Sequence, residues 1–221
     1  MLLIPFPSVL SPTLQNWWLD ARSRSGGETV AGREQVISSG LQRWRASMSF
    51  PLFNRETILA FRSWITQMDG RANRTLIGPC DCSNGNRLGP SIGGIPHSDQ
   101  TMHSDGAGYA QGAVPGEVAA AASVGSNQVL IYNGSTEMPI QLGAFIGLGD
   151  YLYVIIAAVP GSNNETLLTL APKLRATVPI DTPIDWCRAR CPMRLMADDS
   201  GSYDLSLGRY GTATLDLVEV W

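Results

Sequence analysis

The sequence predicts a mainly β protein, in which a β-sandwich core carries one α-helix and a small β-barrel of the OB or SH3-like kind is inserted. Three observations support this fold class. The chain has 23 glycines and 14 prolines among 221 residues, which is typical of proteins with many turns. Short segments with alternating apolar and polar residues recur along it. One segment alone has the apolar spacing of an amphipathic helix.

The clearest strand covers Leu41 to Leu52, where apolar and polar side chains alternate. Successive side chains of a strand point to opposite faces, so Trp44, Met48 and Phe50 should share one buried face. Residues 1–40, which precede this strand, are predicted to form an irregular N-terminal arm.

The adjacent tryptophans Trp17 and Trp18 belong to this arm. They cannot both point inward from a strand, because neighbouring side chains face opposite sides. Either one packs on the core and the other on a neighbouring molecule, or both pack on the surface of the chain itself.

Residues 54–69 are predicted to form the helix. Asn54 is suited to cap its first turn and Gly70 to end it. The apolar side chains recur at steps of three and four residues, with Trp64 beside them: Ile58, Phe61, Ile65 and Met68. We expect this stripe to pack on the sheet rather than to bind a cofactor.

The order of the elements predicts an inserted domain. Residues 41–82 and 185–221 should form the sandwich core, and the short apolar strands of residues 129–184 should close into the barrel. Residues 83–128 are rich in small residues and proline and show no sustained periodicity, which predicts a long irregular loop. A loop of this length is uncommon in a compact domain, so it is either disordered or held by other subunits.

Both histidines lie in this loop, and each begins a His-Ser-Asp triplet. His97, Asp99, His103 and Asp105 could ligate a metal or take part in catalysis. Their spacing in a glycine-rich loop is a weak metal signal, and neighbouring side chains diverge instead of forming a triad. Turn chemistry, in which Asp and Ser side chains bond nearby backbone amides, is the better explanation. We expect a subunit-contact loop with no catalytic, cofactor-binding or metal-binding role.

The four cysteines form two pairs, Cys80/Cys82 and Cys187/Cys191. Neither spacing is the C-x2-C pair of a zinc ribbon. Reduced thiols, a disulfide between the pairs and a zinc site remain open alternatives. Because one pair precedes the insertion and the other follows it, we expect the pairs to lie close together, as a possible disulfide or thiol cluster.

Charge and hydropathy exclude several classes of partner. The net charge of −3 provides no general basic field for sequence-specific nucleic-acid binding. No run reaches the ~18–20 apolar residues of a membrane span, so no membrane insertion is expected. The first residues lack the basic region of a signal peptide, which predicts synthesis and folding in a cytoplasm.

Charged residues make up only 16 % of the chain, which favours surface hidden against other subunits.

Several segments of the chain resemble the distal tail proteins of long-tailed bacteriophages. These segments are "WRASMSFPLF", "AFRSWITQMDGRANRTLIGPCD", "GGIPHSDQTMHSDGAGYAQG", "GDYLYVI" and "LTLAPKLRATVPIDTPI". The resemblance runs from about residue 40 to the C-terminus and does not include the cysteine pairs. Each segment corresponds to a structural feature of the fold, and none is an active-site signature.

The resemblance implies a structural virion protein rather than an enzyme, located at the tail tip after synthesis in the host cytoplasm. It implies a homo-oligomeric ring, usually of six copies, that joins the tail tube protein to the tail hub or baseplate protein. The tape measure protein and the tail fibres are further candidate neighbours. The alternative is a carbohydrate-binding β-sandwich module for host adsorption, in which Tyr151 and Tyr153 share a strand face that could stack on sugars.

Overall fold

The computed structural model describes residues 1–21, 23–28, 30–38, 40–80, 101, 116–132, 140–186, 188–206 and 210–221. The described chain divides into two compact units. The first unit comprises Met1–Cys80 and Arg190–Trp221, and the second unit, Asp81–Ala189, is inserted between these two parts. The fold is mainly β with one helix in the described residues, in agreement with the predicted fold class.

In chain order the elements are β1 (Leu14–Asp20), β2 (Ser23–Glu28), β3 (Glu34–Ser38), β4 (Arg43–Leu52), α1 (Arg55–Met68), β5 (Thr75–Ile77), β6 (Glu117–Val118), β7 (Gln128–Tyr132), β8 (Phe145–Leu148), β9 (Tyr151–Pro160), β10 (Glu165–Ala171), β11 (Ile184–Asp185), β12 (Cys191–Leu195), β13 (Tyr203–Ser206) and β14 (Tyr210–Glu219).

The first unit is built on an antiparallel sheet in the order β1-β4-β14-β12-β5, with β13 also pairing with β14. Along β4 the burial alternates as predicted: every second side chain, from Trp44 to Leu52, is buried. The buried side chains of β14 lie directly opposite them, with Ala213 facing Phe50 and Leu215 facing Met48. Pairs on one face of neighbouring strands pack together, so this face forms the core.

Helix α1 covers the core face of the sheet. It begins with a capping box, in which the Thr57 amide donates to the Asn54 side chain at 2.8 Å, and it ends at Asp69 in the left-handed conformation. Phe6 joins the two layers, because its ring lies 5.7 Å from that of Phe50 and 5.2 Å from that of Trp64.

The buried stripe of the helix differs in part from the predicted one. Phe61, Trp64 and Met68 are buried, whereas Ile58 and Ile65 are half-buried. The large Trp64 ring fills the space between Phe61 and Phe6, so the stripe is centred on Trp64 and the two isoleucines lie at its margin.

The prediction of an irregular arm over residues 1–40 is wrong for much of its length. β1 is an edge strand that pairs with β4 from Leu14↔Ser49 to Asp20↔Arg43. Trp17 packs edge-on against Trp44 on the core face, and Trp18 lies on the other face, 38 % exposed. Two adjacent tryptophans are compatible with a strand when only one of its faces is buried.

The second unit is a six-stranded antiparallel sheet in the order β11-β8-β9-β10-β7-β6. Its outermost strands meet: Glu117 of β6 bridges to Pro183, and the Ile184 amide donates to the carbonyl oxygen of Gly116 at 2.9 Å. The sheet is therefore nearly closed into a small barrel, an arrangement that reduces the number of unpaired edge groups. Its interior is filled by buried apolar side chains, among them Val118, Ile131, Ile146, Leu168 and Trp186.

The barrel begins earlier in the chain than expected. Residues 116–128 were predicted to belong to the irregular loop, but they contain β6 and run into β7. Their backbone pairs with distant residues, as in the bridge between Ala122 and Val178. Local periodicity could not predict this pairing, because β6 has only two residues. The loop residues 83–100 and 102–115 lie outside the described residues.

Candidate functional site

The predicted histidine loop and two of the four cysteines lie outside the described residues. His97, Asp99, His103 and Asp105 lie outside the described residues, so their predicted role as a subunit-contact loop remains a prediction. Cys82 and Cys187 also lie outside the described residues.

Of the two described cysteines, Cys80 is exposed and Cys191 is buried. Both lie in the first unit, next to the points where the chain enters and leaves the insertion. Cys191 pairs with Ile77 across β12 and β5, and Cys80 follows Ile77 by three residues. The predicted cluster of all four thiols stays a prediction.

The backbone of Cys80 is held by a side chain of the edge strand. The side-chain Nε2 of Gln15 donates to the Cys80 carbonyl oxygen at 2.5 Å, and the backbone amide of Cys80 donates to the Gln15 Oε1 at 2.9 Å. These two hydrogen bonds hold the backbone of Cys80 against β1, so they anchor the chain where it leaves the first unit.

The tyrosine pair considered for sugar binding does not form an exposed platform. Tyr153 is fully buried in the barrel, and its hydroxyl accepts a hydrogen bond from the Arg175 amide at 3.0 Å. Tyr151 is half-buried and packs against the barrel core. A ring that stacks on a sugar needs an exposed face, and Tyr153 has none.

The most exposed element of the first unit is the hairpin formed by β2 and β3. Every described side chain from Ser23 to Ser38 is exposed. Its register pairs Arg24 with Ile37, Ser25 with Val36 and Glu28 with Glu34, with a bulge in β2. An isolated two-stranded hairpin is marginally stable in water, so this hairpin is suited to bind another surface.

The two faces of the hairpin differ in chemistry. Glu28, Glu34 and Val36 lie on one face, whereas Arg24 and Ile37 lie on the other. Sequence reasoning missed the hairpin because its strands are polar and lack alternation. A detectable signal was the Ala31-Gly32 turn between two polar segments, in which Gly32 adopts a φ of +74°.

A groove of about 340 Å³ lies beside the first turns of α1. Three apolar residues that line it are exposed, with exposed fractions of 65 % for Phe53, 47 % for Leu59 and 53 % for Tyr210. Arg55 and Arg62 also line it. The groove therefore offers both apolar surface and positive charge.

A surface ion pair ties together two turns of the first unit. The Asp198 carboxylate accepts hydrogen bonds from the backbone amide of Arg71 at 3.1 Å and from its Nε at 3.2 Å. These hydrogen bonds lower the pKa of Asp198 below its usual 3.8, the side-chain bond contributing most. The pair joins the turn after α1 to the segment after β12.

Comparisons with known proteins provide no family assignment: no protein-family model matches the chain, and no curated protein matches it. Among the described residues, no group of three or more His, Cys, Asp or Glu side chains is arranged to hold a metal ion. None of the described helical residues forms a helix long and apolar enough to cross a membrane. The exposed hairpin and the groove are candidate interaction surfaces of the first unit.

Proposed function

We propose that this chain is a structural virion protein that forms a homo-oligomeric ring, of six copies, at the distal end of a phage tail. The ring joins the tail tube to the hub and fibre assembly. The observation that carries the proposal is the fully exposed hairpin Ser23–Ser38, which presents Val36 and Ile37 to solvent at 57 % and 60 %. A hairpin with exposed apolar side chains gains stability when a partner surface covers it.

The sequence resemblance to distal tail proteins supports the same function. The segments that carry it include β4, most of α1 and the strands at the middle of the chain. A sheet-and-helix unit with an inserted small barrel is also the architecture that the resemblance implies.

Further support comes from the way exposed apolar residues are distributed. In the first unit they include Leu14 and Trp18 on the free edge strand β1, besides those of the hairpin and groove. A long edge strand that presents apolar side chains invites pairing with another chain unless a partner covers it. Subunits assembled through such surfaces would account for the low charge density of the chain.

The oligomeric state of the purified protein tests the proposal. Mass photometry and native mass spectrometry should detect a species of about 143 kDa, six times the 23.8 kDa chain. Immunogold labelling of purified phage particles should place the protein at the tail tip. A chain that stays monomeric at every concentration up to tens of micromolar, and is missing from the particles, would refute the proposal.

A further inference from the structure

We infer that the hairpin Ser23–Ser38 of one copy docks into the groove beside α1 of the next copy. The inference rests on the proposed ring and names the two surfaces that would build it. The face carrying Glu28, Glu34 and Val36 would enter the groove lined by Arg55 and Arg62. The occupant of the groove is therefore a second copy of this chain.

The acidic face of the hairpin is destabilised by repulsion between two like charges, which a cationic partner would offset. Glu28 and Glu34 lie directly opposite each other in the register of the hairpin. Like charges in this arrangement destabilise a strand pair. Within the described residues no salt bridge joins either carboxylate to a basic side chain. Positive charge brought by another molecule would offset the repulsion.

The groove has the complementary chemistry. Among the described residues that line it none is acidic, and two are arginines. The Arg62 Nε donates to the Tyr203 hydroxyl at 2.8 Å, which orients the guanidinium group and leaves its terminal nitrogens available for a carboxylate. The exposed rings of Phe53 and Tyr210 would contact the apolar Val36.

The positions of the two surfaces exclude docking within one copy. The hairpin connects Asp20 and Arg43, which pair at one end of β4, whereas the groove adjoins the opposite end, where Leu52 pairs with Gly211. The ten residues of β4 separate these ends by about 30 Å. Glu28 lies eight residues from Asp20 along the chain, so even a fully extended segment would place it less than about 29 Å from that end of β4, short of the groove.

Two different surfaces at opposite ends of one unit generate a head-to-tail contact. Such a heterologous contact repeats from copy to copy and closes into a ring when the rotation between neighbours allows it. The hairpin and the groove thus supply a contact that can repeat around a ring.

Charge reversal with rescue tests the contact. Glu28→Arg with Glu34→Arg, and separately Arg55→Glu with Arg62→Glu, should each raise the subunit concentration for half-assembly tenfold or more. Combining all four substitutions should restore assembly, because each reversed charge again meets its opposite. Gln35→Arg, on the other face of the same hairpin, is the matched control and should leave assembly unchanged.

An apolar pair of variants tests the same geometry without changing charge. Val36 and Ile37 are neighbours with similar exposure that lie on opposite faces of the hairpin. Val36→Ser should weaken assembly, and Ile37→Ser should not. Thermal unfolding of each variant shows whether the protein is still folded, and the rescue experiment remains decisive if one pair of reversals lowers stability.

The outcomes separate this inference from the proposed function. If the wild-type ring forms but neither reversal weakens it, or if the combination fails to restore it, the hairpin–groove contact is refuted and the ring stands. If the wild-type protein forms no ring, the proposed function fails first. Loss in both reversals and recovery in the combination would establish the contact.

Discussion

Replacing Phe61 by alanine should lower the free energy of unfolding of the first unit by about 3–5 kcal/mol. The Phe61 side chain is fully buried, with ring centroids 6.3 Å from Trp64 and 5.5 Å from Tyr203. A buried phenylalanine removes roughly 150 Å² of surface from water, which at about 25 cal/mol per Å² corresponds to ~4 kcal/mol. The substitution loses most of this transfer energy, and the cavity left beneath α1 adds to the loss.

Urea denaturation followed by tryptophan fluorescence measures this change. Five of the six tryptophans belong to the first unit, so the signal reports mainly on its unfolding. Leu59→Ala is the matched control, because Leu59 lies on the same helix but is 47 % exposed. Its effect on the monomer should stay within about 0.5 kcal/mol, as expected for an exposed position.

Two results would contradict this reasoning. Equal losses for Phe61→Ala and Leu59→Ala would mean that burial beneath α1 does not determine the contribution of these side chains. A loss below about 1 kcal/mol for Phe61→Ala would mean that the helix packs on the sheet only weakly, since a collapsed cavity alone does not cancel the transfer energy.

Three further outcomes are expected. Tyr153→Phe should destabilise the barrel by about 1–3 kcal/mol, because the backbone amide of Arg175 loses its hydrogen-bond acceptor. Thermal unfolding of the purified variant measures this loss, and an unchanged unfolding midpoint would contradict the prediction. Asp198→Asn should lower the free energy of unfolding at neutral pH. Because the pKa of Asp198 is depressed in the folded protein, the difference in stability between wild type and variant should shrink as pH falls below about 3.8. A difference that is constant down to pH 2 in urea titrations would exclude this linkage. Iodoacetamide followed by peptide mapping should label Cys80 and spare Cys191 until the protein unfolds, and equal labelling of the two in the folded protein would disprove their different burial.

Local features of the sequence determined the elements that depend on neighbouring residues. The alternation over Leu41 to Leu52 predicted β4 and its buried face. Asn54 and Gly70 bracket α1, because capping is decided within a few residues of a helix end. The insertion was also predictable from the order of the strands, since both parts of the first unit have the pattern of half-buried strands.

The candidate assembly surfaces depended more on the tertiary structure. The hairpin residues are polar and glycine-rich, so apart from the Ala31-Gly32 turn no local pattern distinguished exposed strands from an irregular arm. The groove brings Phe53 and Arg55 together with Tyr210, which is more than 150 residues away in the chain. No periodicity within a segment indicates such a contact.

The sequence by itself determined the fold class, strand β4 and helix α1, because periodicity and caps act over a few residues. Only the tertiary structure decided that β1 joins the sheet, that Trp64 rather than Ile58 or Ile65 fills the centre of the helix contact, and that the barrel nearly closes between β6 and β11. Each of these depends on residues far apart in the chain competing for the same buried space and for the same backbone hydrogen bonds.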